Sequence, residues 1–309
     1  MRKPFRTSGD LLADRRYQYG HEFSRDGDFA AAVDLFEQAI ELAPDWPDAH
    51  FALGKARREI GDDNGAALAL RECWRLDKDD ALGASLALAE LGGEATIDAA
   101  PAAYVKALFD AYAEDFDAAL VERLNYQTPQ KLADAIRAVR KNTGRTGRAL
   151  DLGCGTGLAG EAIAADVVFL EGVDISGGMI EAAKEKGVYD NLQTDEILGA
   201  LDRRTENYDL ILAADVLIYF GDLAPVFASV AARLAPGGVF AFSVEKGGAP
   251  GWIVQKSLRF AHAPDYIARQ LAAAGLDLVT IEETILRKDR GEDVAGLLVV
   301  ARAPLRAGD

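Results

Sequence analysis

The sequence predicts an α/β domain, a mostly parallel sheet with helices on both faces, preceded by a small all-α domain. Three observations predict it. The first ninety residues repeat with a period of 34. From Arg148 onward, short β-rich runs alternate with helical stretches. A glycine-rich turn joins the first of those runs to a helix.

At 309 residues, 50% of them hydrophobic, the chain is long enough for two modest domains. Acidic residues outnumber basic ones by 50 to 34, giving a net charge of −16. Phosphate-backbone binding rests on clustered Lys and Arg that release counterions, so no nucleic-acid partner is expected. Cys73 and Cys154 are too few for a disulfide framework and lack the paired spacing of a zinc site, so no metal is expected and a reducing, cytoplasmic setting follows. Met1 to Arg16 carries Arg2, Lys3, Arg6, Arg15 and Arg16 but no apolar stretch of signal-peptide length. No window approaches bilayer-spanning length, so no membrane association is expected.

A shift of 34 residues sets Gly20 on Gly54, Gly27 on Gly61, Ala32 on Ala66, Phe36 on Leu70 and Ala39 on Cys73. Tyr17, Gly20 and Phe23 share one helical face. Gly27-Asp28 turns the chain, and Ala32, Phe36 and Ala39 form the answering face. Residues 13–46 and 47–80 thus resemble tetratricopeptide repeats, with Pro44 at the closing position of the first and Lys78 in place of proline in the second. Ala81 to Leu91 reads as a capping helix, because stacked repeats bury their faces only against neighbours. The module either offers a groove to a protein partner or substrate carrier, or serves as a packing appendage. The expected division is a repeat domain over 1–93, a linker over 94–103 and a second domain over 104–309.

In the second domain Ala149 to Leu152 reads as the first strand. Glycines at 153, 155 and 157 let the backbone turn tightly, approach a ligand closely and enter a helix near Leu158 with its amides free. Such a loop alone also suits a dinucleotide site. Val167 to Val173 reads as the second strand and ends on Asp174, 23 residues past Asp151, where a carboxylate can accept both hydroxyls of a ribose.

Leu-Asp-Leu-Gly-Cys-Gly-Thr-Gly at 150–157 is followed by Gly172 to Ala183, by Tyr208-Asp209-Leu210-Ile211 with Ala214-Asp215-Val216-Leu217, and by Leu234-Ala235-Pro236-Gly237-Gly238 before the fifth strand. In this order, over residues 104–303, the segments resemble class I S-adenosylmethionine-dependent methyltransferases. Tyr-Ala-Glu-Asp-Phe-Asp at 112–117 narrows the resemblance to a bacterial group that carries tetratricopeptide repeats. The resemblance implies a Rossmann-like sheet of seven strands whose last two, Leu278 to Leu286 and Val294 to Ala301, run antiparallel. It also implies S-adenosylmethionine as cofactor and methyl transfer to an O or N nucleophile on a small molecule or carrier-presented group. Two alternatives stand beside it: methylation of a protein docked on the repeats, and cofactor binding without catalysis.

The resemblance assigns cofactor contacts to Tyr112, Asp151, Gly153, Cys154, Gly155, Gly157, Asp174, Ile175, Met179, Asp195, Glu196 and Asp215. Asp151 either meets the methionine amino group or orders the glycine loop. Asp195 or Glu196 meets the adenine amine, against a plain role as helix cap. Met179 flanks the adenine, against ordinary core packing. Tyr104, Tyr112, Phe116 and Tyr126 precede the first strand, as a lid over the cofactor or as packing. Asp215, with Tyr219 and Phe220 after it, faces the methyl group. Transfer itself is an in-line displacement governed by alignment and exclusion of water, and a base is needed only where the acceptor must lose a proton. His262, expected on a loop before the helix from Pro264, is the candidate base, against a capping role. Arg259 binds either an acidic substrate group or a surface carboxylate.

Overall fold

The computed structural model describes residues 6–92, 97–111, 126–140, 144–248, 250–289 and 291–305. They divide into two compact units, one running to Tyr104 and taking in Lys256–Leu258, the other holding the remainder from Val105.

The first unit is built of helices α1 (Leu11–Asp26), α2 (Phe29–Leu42), α3 (Pro47–Glu59), α4 (Asp63–Leu76) and α5 (Ala84–Glu90). The 34-residue period has a steric cause. A Cβ on Gly20 would stand 2.6 Å from the Phe36 ring, and one on Gly54 would stand 2.7 Å from Leu70 Cγ, so each helix pair crosses at a glycine. Gly27 and Gly61 both end a helix at positive φ, 84° and 80°. The aspartates that follow cap the next helix: Asp28 accepts from the Ala31 amide at 3.1 Å and Asp62 from the Gly65 amide at 2.9 Å. Tyr104 lies against Gly83 in this unit.

The second unit opens with α6 (Ala102–Asp110), shared across the division, and α7 (Thr128–Arg140). There follow β1 (Thr146–Leu152), α8 (Leu158–Ile163), β2 (Val167–Asp174), α9 (Gly177–Lys186), β3 (Asn191–Thr194), α10 (Ile197–Arg203), β4 (Tyr208–Ala213), α11 (Ala224–Arg233) and β5 (Leu234–Lys246). Two short strands, β6 (Trp252–Val254) and β7 (Phe260–His262), come next, then α12 (Pro264–Ala273), β8 (Asp277–Asp289) and β9 (Glu292–Arg302). β3-β2-β1-β4-β5 run parallel. β9 pairs antiparallel with β5 over Val239–Glu245, and β8 pairs antiparallel with β9. Buried strand residues alternate between the faces. Leu150, Ile211, Phe240 and Phe242 pack against α10, α11 and α12, while Ala149, Leu210, Leu212 and Ala241 pack against α7 and α8.

Among the described residues the sheet has nine strands, where seven were expected. Where β5 projects beyond β4, whose pairing ends at Phe242, its Glu245 and Lys246 pair with β7, which forms a small antiparallel hairpin with β6. That backbone edge would otherwise be unpaired. The expected loop position of His262 is corrected by the same hairpin, since the residue ends β7. Pro236 and Gly237, expected before the fifth strand, fall inside β5, and the β4–β5 register shifts between Tyr208 and Leu210.

Candidate functional site

The glycine loop leaves the carboxyl end of β1 with Gly153, Gly155 and Gly157 at φ of 65°, 54° and 94°. A side chain resists this left-handed region, and at Gly153 there is no room for one: a Cβ would meet Val216 Cγ2 at 2.3 Å. The loop is thereby seated on the Asp215-Val216 elbow that leaves β4. Cys154, buried, donates its amide to Val173 O at 2.9 Å and stitches the loop to β2.

Asp174 ends β2. Its carboxylate accepts from the Gly155 amide and from the Ser176 amide, both at 2.9 Å, so one side chain links the loop to the start of α9. Burial raises its pKa against those two amides, and the nearby Asp110 carboxylate pushes the same way. Asp110, at the end of α6, accepts from Ser176 Oγ at 2.5 Å and pairs with Lys106. It was not among the sequence-derived candidates, because its position beside β2 depends on how α6 lies on the sheet.

Asp151 is fully buried, with Oδ2 accepting from the Tyr189 hydroxyl at 2.7 Å. Burial pushes its pKa up to about 7, the Tyr189 bond pulls it back, and Asp174 adds to the rise. The Tyr189 ring in turn lies against Gly157, Gly160 and Gly172. Asp151 therefore sits within the support of the loop. Met179 is likewise fully buried in the first turn of α9, while Ile175 is half-buried at the end of β2. Asp195 follows β3, accepting from the Glu196 amide at 2.9 Å and from Gln193 at 3.2 Å, and it also pairs with Arg203. Glu196 begins α10 without capping it through its side chain. Tyr112 and Phe116 lie outside the described residues.

Beyond the elbow lies a buried polar cluster. Asp215 has φ of 51°, a left-handed conformation that Asp tolerates better than most residues. Ser243 on β5 holds it twice: Oγ accepts from the Asp215 amide at 2.8 Å and donates to Asp215 Oδ1 at 2.6 Å. Arg287 on β8, 5% exposed, pairs with Glu245 through Nη2 and stands 3.5 Å from Asp215 Oδ2 through Nη1. Arg259 reaches Asp289 at 3.3 Å, Glu245 at 3.9 Å and the Tyr219 phenol. Of the two expectations for Arg259, the observed partners are the protein's own carboxylates. Tyr219 is buried, with Phe109 edge-on at 5.6 Å. The Tyr126 phenol lies beside Asp215, and burial, then that carboxylate's charge, holds it well above its usual range. Among the described residues, Asp215 Oδ2 and Arg287 Nη1 have no hydrogen-bond partner.

His262 is fully buried, with Nε2 3.1 Å from Gly221 O. A carbonyl only accepts, so Nε2 carries the proton and Nδ1 is left with a bare lone pair and no partner among the described residues. Burial lowers its pKa to about 4, so the ring is neutral at pH 7. Sequence reasoning missed Tyr189, Ser243, Glu245 and Arg287. Glu245 did leave a signal, a carboxylate closing a run from Val239 to Val244 in which Ser243 alone is polar.

Residues 150–240 match a methyltransferase-domain family model, and residues 20–61 match a tetratricopeptide-repeat model. Among curated proteins, a ubiquinone biosynthesis O-methyltransferase of Coxiella burnetii is 31% identical over 97 residues, covering 30% of this chain and 42% of the relative. One of Xylella fastidiosa is 30% identical over 120 residues, covering 36% and 49%. The chain thus spans less than half the length of these relatives. Among solved structures, an S-adenosylmethionine-dependent methyltransferase from Clostridium acetobutylicum gives a TM-score of 0.48 at 18% identity, covering 64% of this chain and 99% of that one. The N-methyltransferase NodS from Bradyrhizobium japonicum gives 0.45 at 22%, covering 56% and 86%. The chain carries a methyltransferase domain behind a tetratricopeptide repeat.

Proposed function

We propose that this protein transfers the methyl group of S-adenosylmethionine to an oxygen or nitrogen nucleophile on a small molecule or carrier-presented group. The observation that carries the reading is the joined unit at the carboxyl edge of the sheet: three left-handed glycines, the Asp174 carboxylate at the end of β2, and the Asp215 elbow against Gly153. The residues fit the cofactor. The glycine loop is a cradle with no side chain to fill it, and Asp174 stands where ribose hydroxyls need an acceptor. A dinucleotide's pyrophosphate would instead meet two carboxylates, Asp174 and Asp110, beside the loop.

When bound, S-adenosylmethionine supplies an electrophilic methyl on a sulfonium. The chain's residues do the rest. Asp174 holds the ribose, and Asp151 with Tyr189 keeps the loop in shape. Met179 and Ile175 back the adenine side, with Asp195 or Glu196 at its amine. Asp215 and Tyr219 face the acceptor. His262, neutral and bonded to Gly221, positions the Phe220–Gly221 segment that follows Tyr219. The repeats present a partner or carrier. Calorimetry tests the reading: S-adenosylmethionine and its demethylated product, S-adenosylhomocysteine, bind with micromolar-range Kd, while binding of a nicotinamide dinucleotide in their place overturns it.

A further inference from the structure

In the first unit, Arg6, Thr7 and Ser8 precede α1, and each sits on a buried aspartate. The Arg6 guanidinium lays its two Nη atoms on the Asp77 carboxylate at the end of α4, both at 3.5 Å, and turns Nε to Asp48 Oδ2 on α3 at 3.2 Å. Its carbonyl accepts from the Trp46 indole at 2.8 Å. The Ser8 amide and hydroxyl donate to Asp14 Oδ1 on α1 at 2.9 and 2.7 Å, and the Thr7 hydroxyl donates to Oδ2. Asp14 and Asp48 are 34 residues apart, the same place in successive repeats. The extended segment therefore meets one equivalent acid in each repeat. The two sides of these contacts differ in burial: the Asp48 and Asp77 side chains are 8% and 7% exposed, that of Arg6 54%. A carboxylate so deeply placed is costly without a counter-charge, and burial raises the Asp48 pKa against the pull of Arg6. The acids thus demand a cation that only a half-exposed segment supplies. Beside that segment lies a cavity of about 600 Å³, lined by residues 6–10 and 42–48, with room for a second chain to approach.

We infer that Asp48, Asp77 and Trp46 form an arginine slot for an extended segment of a partner protein, and that Arg6-Thr7-Ser8 fills this slot in cis until the partner displaces it. A guanidinium suits it because two N–H groups meet one carboxylate while a third meets another, a planar fork that the point charge of a lysine ammonium does not offer. The Trp46 indole takes the carbonyl of the same arginine and so fixes the direction of the bound backbone. Asp14 adds a preference for a hydroxyl residue after the arginine, as Thr7 and Ser8 show in cis. Release of the cis segment leaves the two buried acids without their cation, so the opened state favours capture of another arginine over standing empty. The slot lies within the first unit and goes beyond the methyl-transfer reading, whose failure would leave it standing.

The peptide acetyl-Arg-Thr-Ser-Gly-amide, and the same peptide with citrulline in place of arginine, serve as probes on the full chain by ligand-observed NMR titration. Because the cis segment must leave before the peptide enters, Arg6→Ala is expected to bind the arginine peptide about ten-fold tighter than the native chain does. Citrulline keeps the shape of arginine without its charge, and its peptide is expected to bind Arg6→Ala about ten-fold more weakly than the arginine peptide. Adding Asp48→Asn to Arg6→Ala is expected to remove most of the gain. Should Arg6→Ala fail to fold, Arg6→Gln, which keeps length and loses the charge, carries the same comparison. Equal affinity of the native and opened chains would overturn occupation in cis. No binding to the opened chain, equal binding of the citrulline peptide, or a gain that survives Asp48→Asn would each overturn the arginine slot and leave the segment a brace of α1.

Discussion

Replacing Gly153 with Ala tests whether the glycine loop is seated on the Asp215 elbow. The added methyl would lie 2.3 Å from Val216 Cγ2 and 2.6 Å from Val216 Cβ, well inside contact distance. Holding alanine at φ of 65° costs roughly 1–2 kcal/mol, and forcing the overlap costs roughly 1–3 kcal/mol more. A destabilisation of about 2–5 kcal/mol follows, split between backbone and overlap. Only the overlap depends on residue 216. Val216→Gly removes both clashing atoms, so in a double-mutant cycle the two changes should show coupling of roughly 1–3 kcal/mol, while the backbone part persists. Chemical denaturation of the four proteins, with S-adenosylhomocysteine affinity measured alongside, supplies the cycle. Additivity within about 0.5 kcal/mol would show that the loop and the elbow do not touch.

Asp174→Ala should weaken S-adenosylhomocysteine binding by about ten-fold or more in calorimetry, through lost ribose bonds and a loop released at Gly155; unchanged affinity would remove Asp174 from the site. Asp151, with a folded pKa near 7 against about 3.9 unfolded, stabilises the fold fully below pH ~4 and loses that contribution as pH rises through about 7. Relative to Asp151→Asn, the native chain should therefore lose up to about 4 kcal/mol over that window, and parallel stability curves would contradict the raised pKa. His262, lowered to about 4 from about 6.5, stabilises above pH ~6.5 and loses that contribution as pH falls through about 4. His262→Gln should flatten the native chain's acid limb there, whereas an inflection near pH 6.5 assigned to His262 by NMR would show that the ring is not buried as described.

What could be read in the sequence was what local geometry dictates. Gly20 and Gly54 announce the helix pairs because only glycine lets a helix approach Phe36 and Leu70 so closely. The loop from Gly153 to Gly157 and the strand end at Asp174 follow from backbone demands that few residue types meet. The hairpin of β6 and β7 was illegible because its strands are three residues each, too short for any period. The polar cluster was equally hidden. Ser243, Glu245 and Arg287 lie in runs that read as ordinary strand, and only the antiparallel pairing of β8 with β9, and of β9 with β5, brings Arg287 to Asp215. Arg259 illustrates the same limit, since its partners Asp289, Glu245 and Tyr219 are distant in sequence and adjacent in the fold.

A crystal structure of the full chain with S-adenosylhomocysteine tests the account most directly. It should show both ribose hydroxyls within hydrogen-bond distance of Asp174, the methionine end along the loop from Gly153 to Gly157, and the sulfur turned toward Asp215. A ligand seated away from the glycine loop, or a sulfur facing away from the Asp215–Arg287 pair, would contradict it.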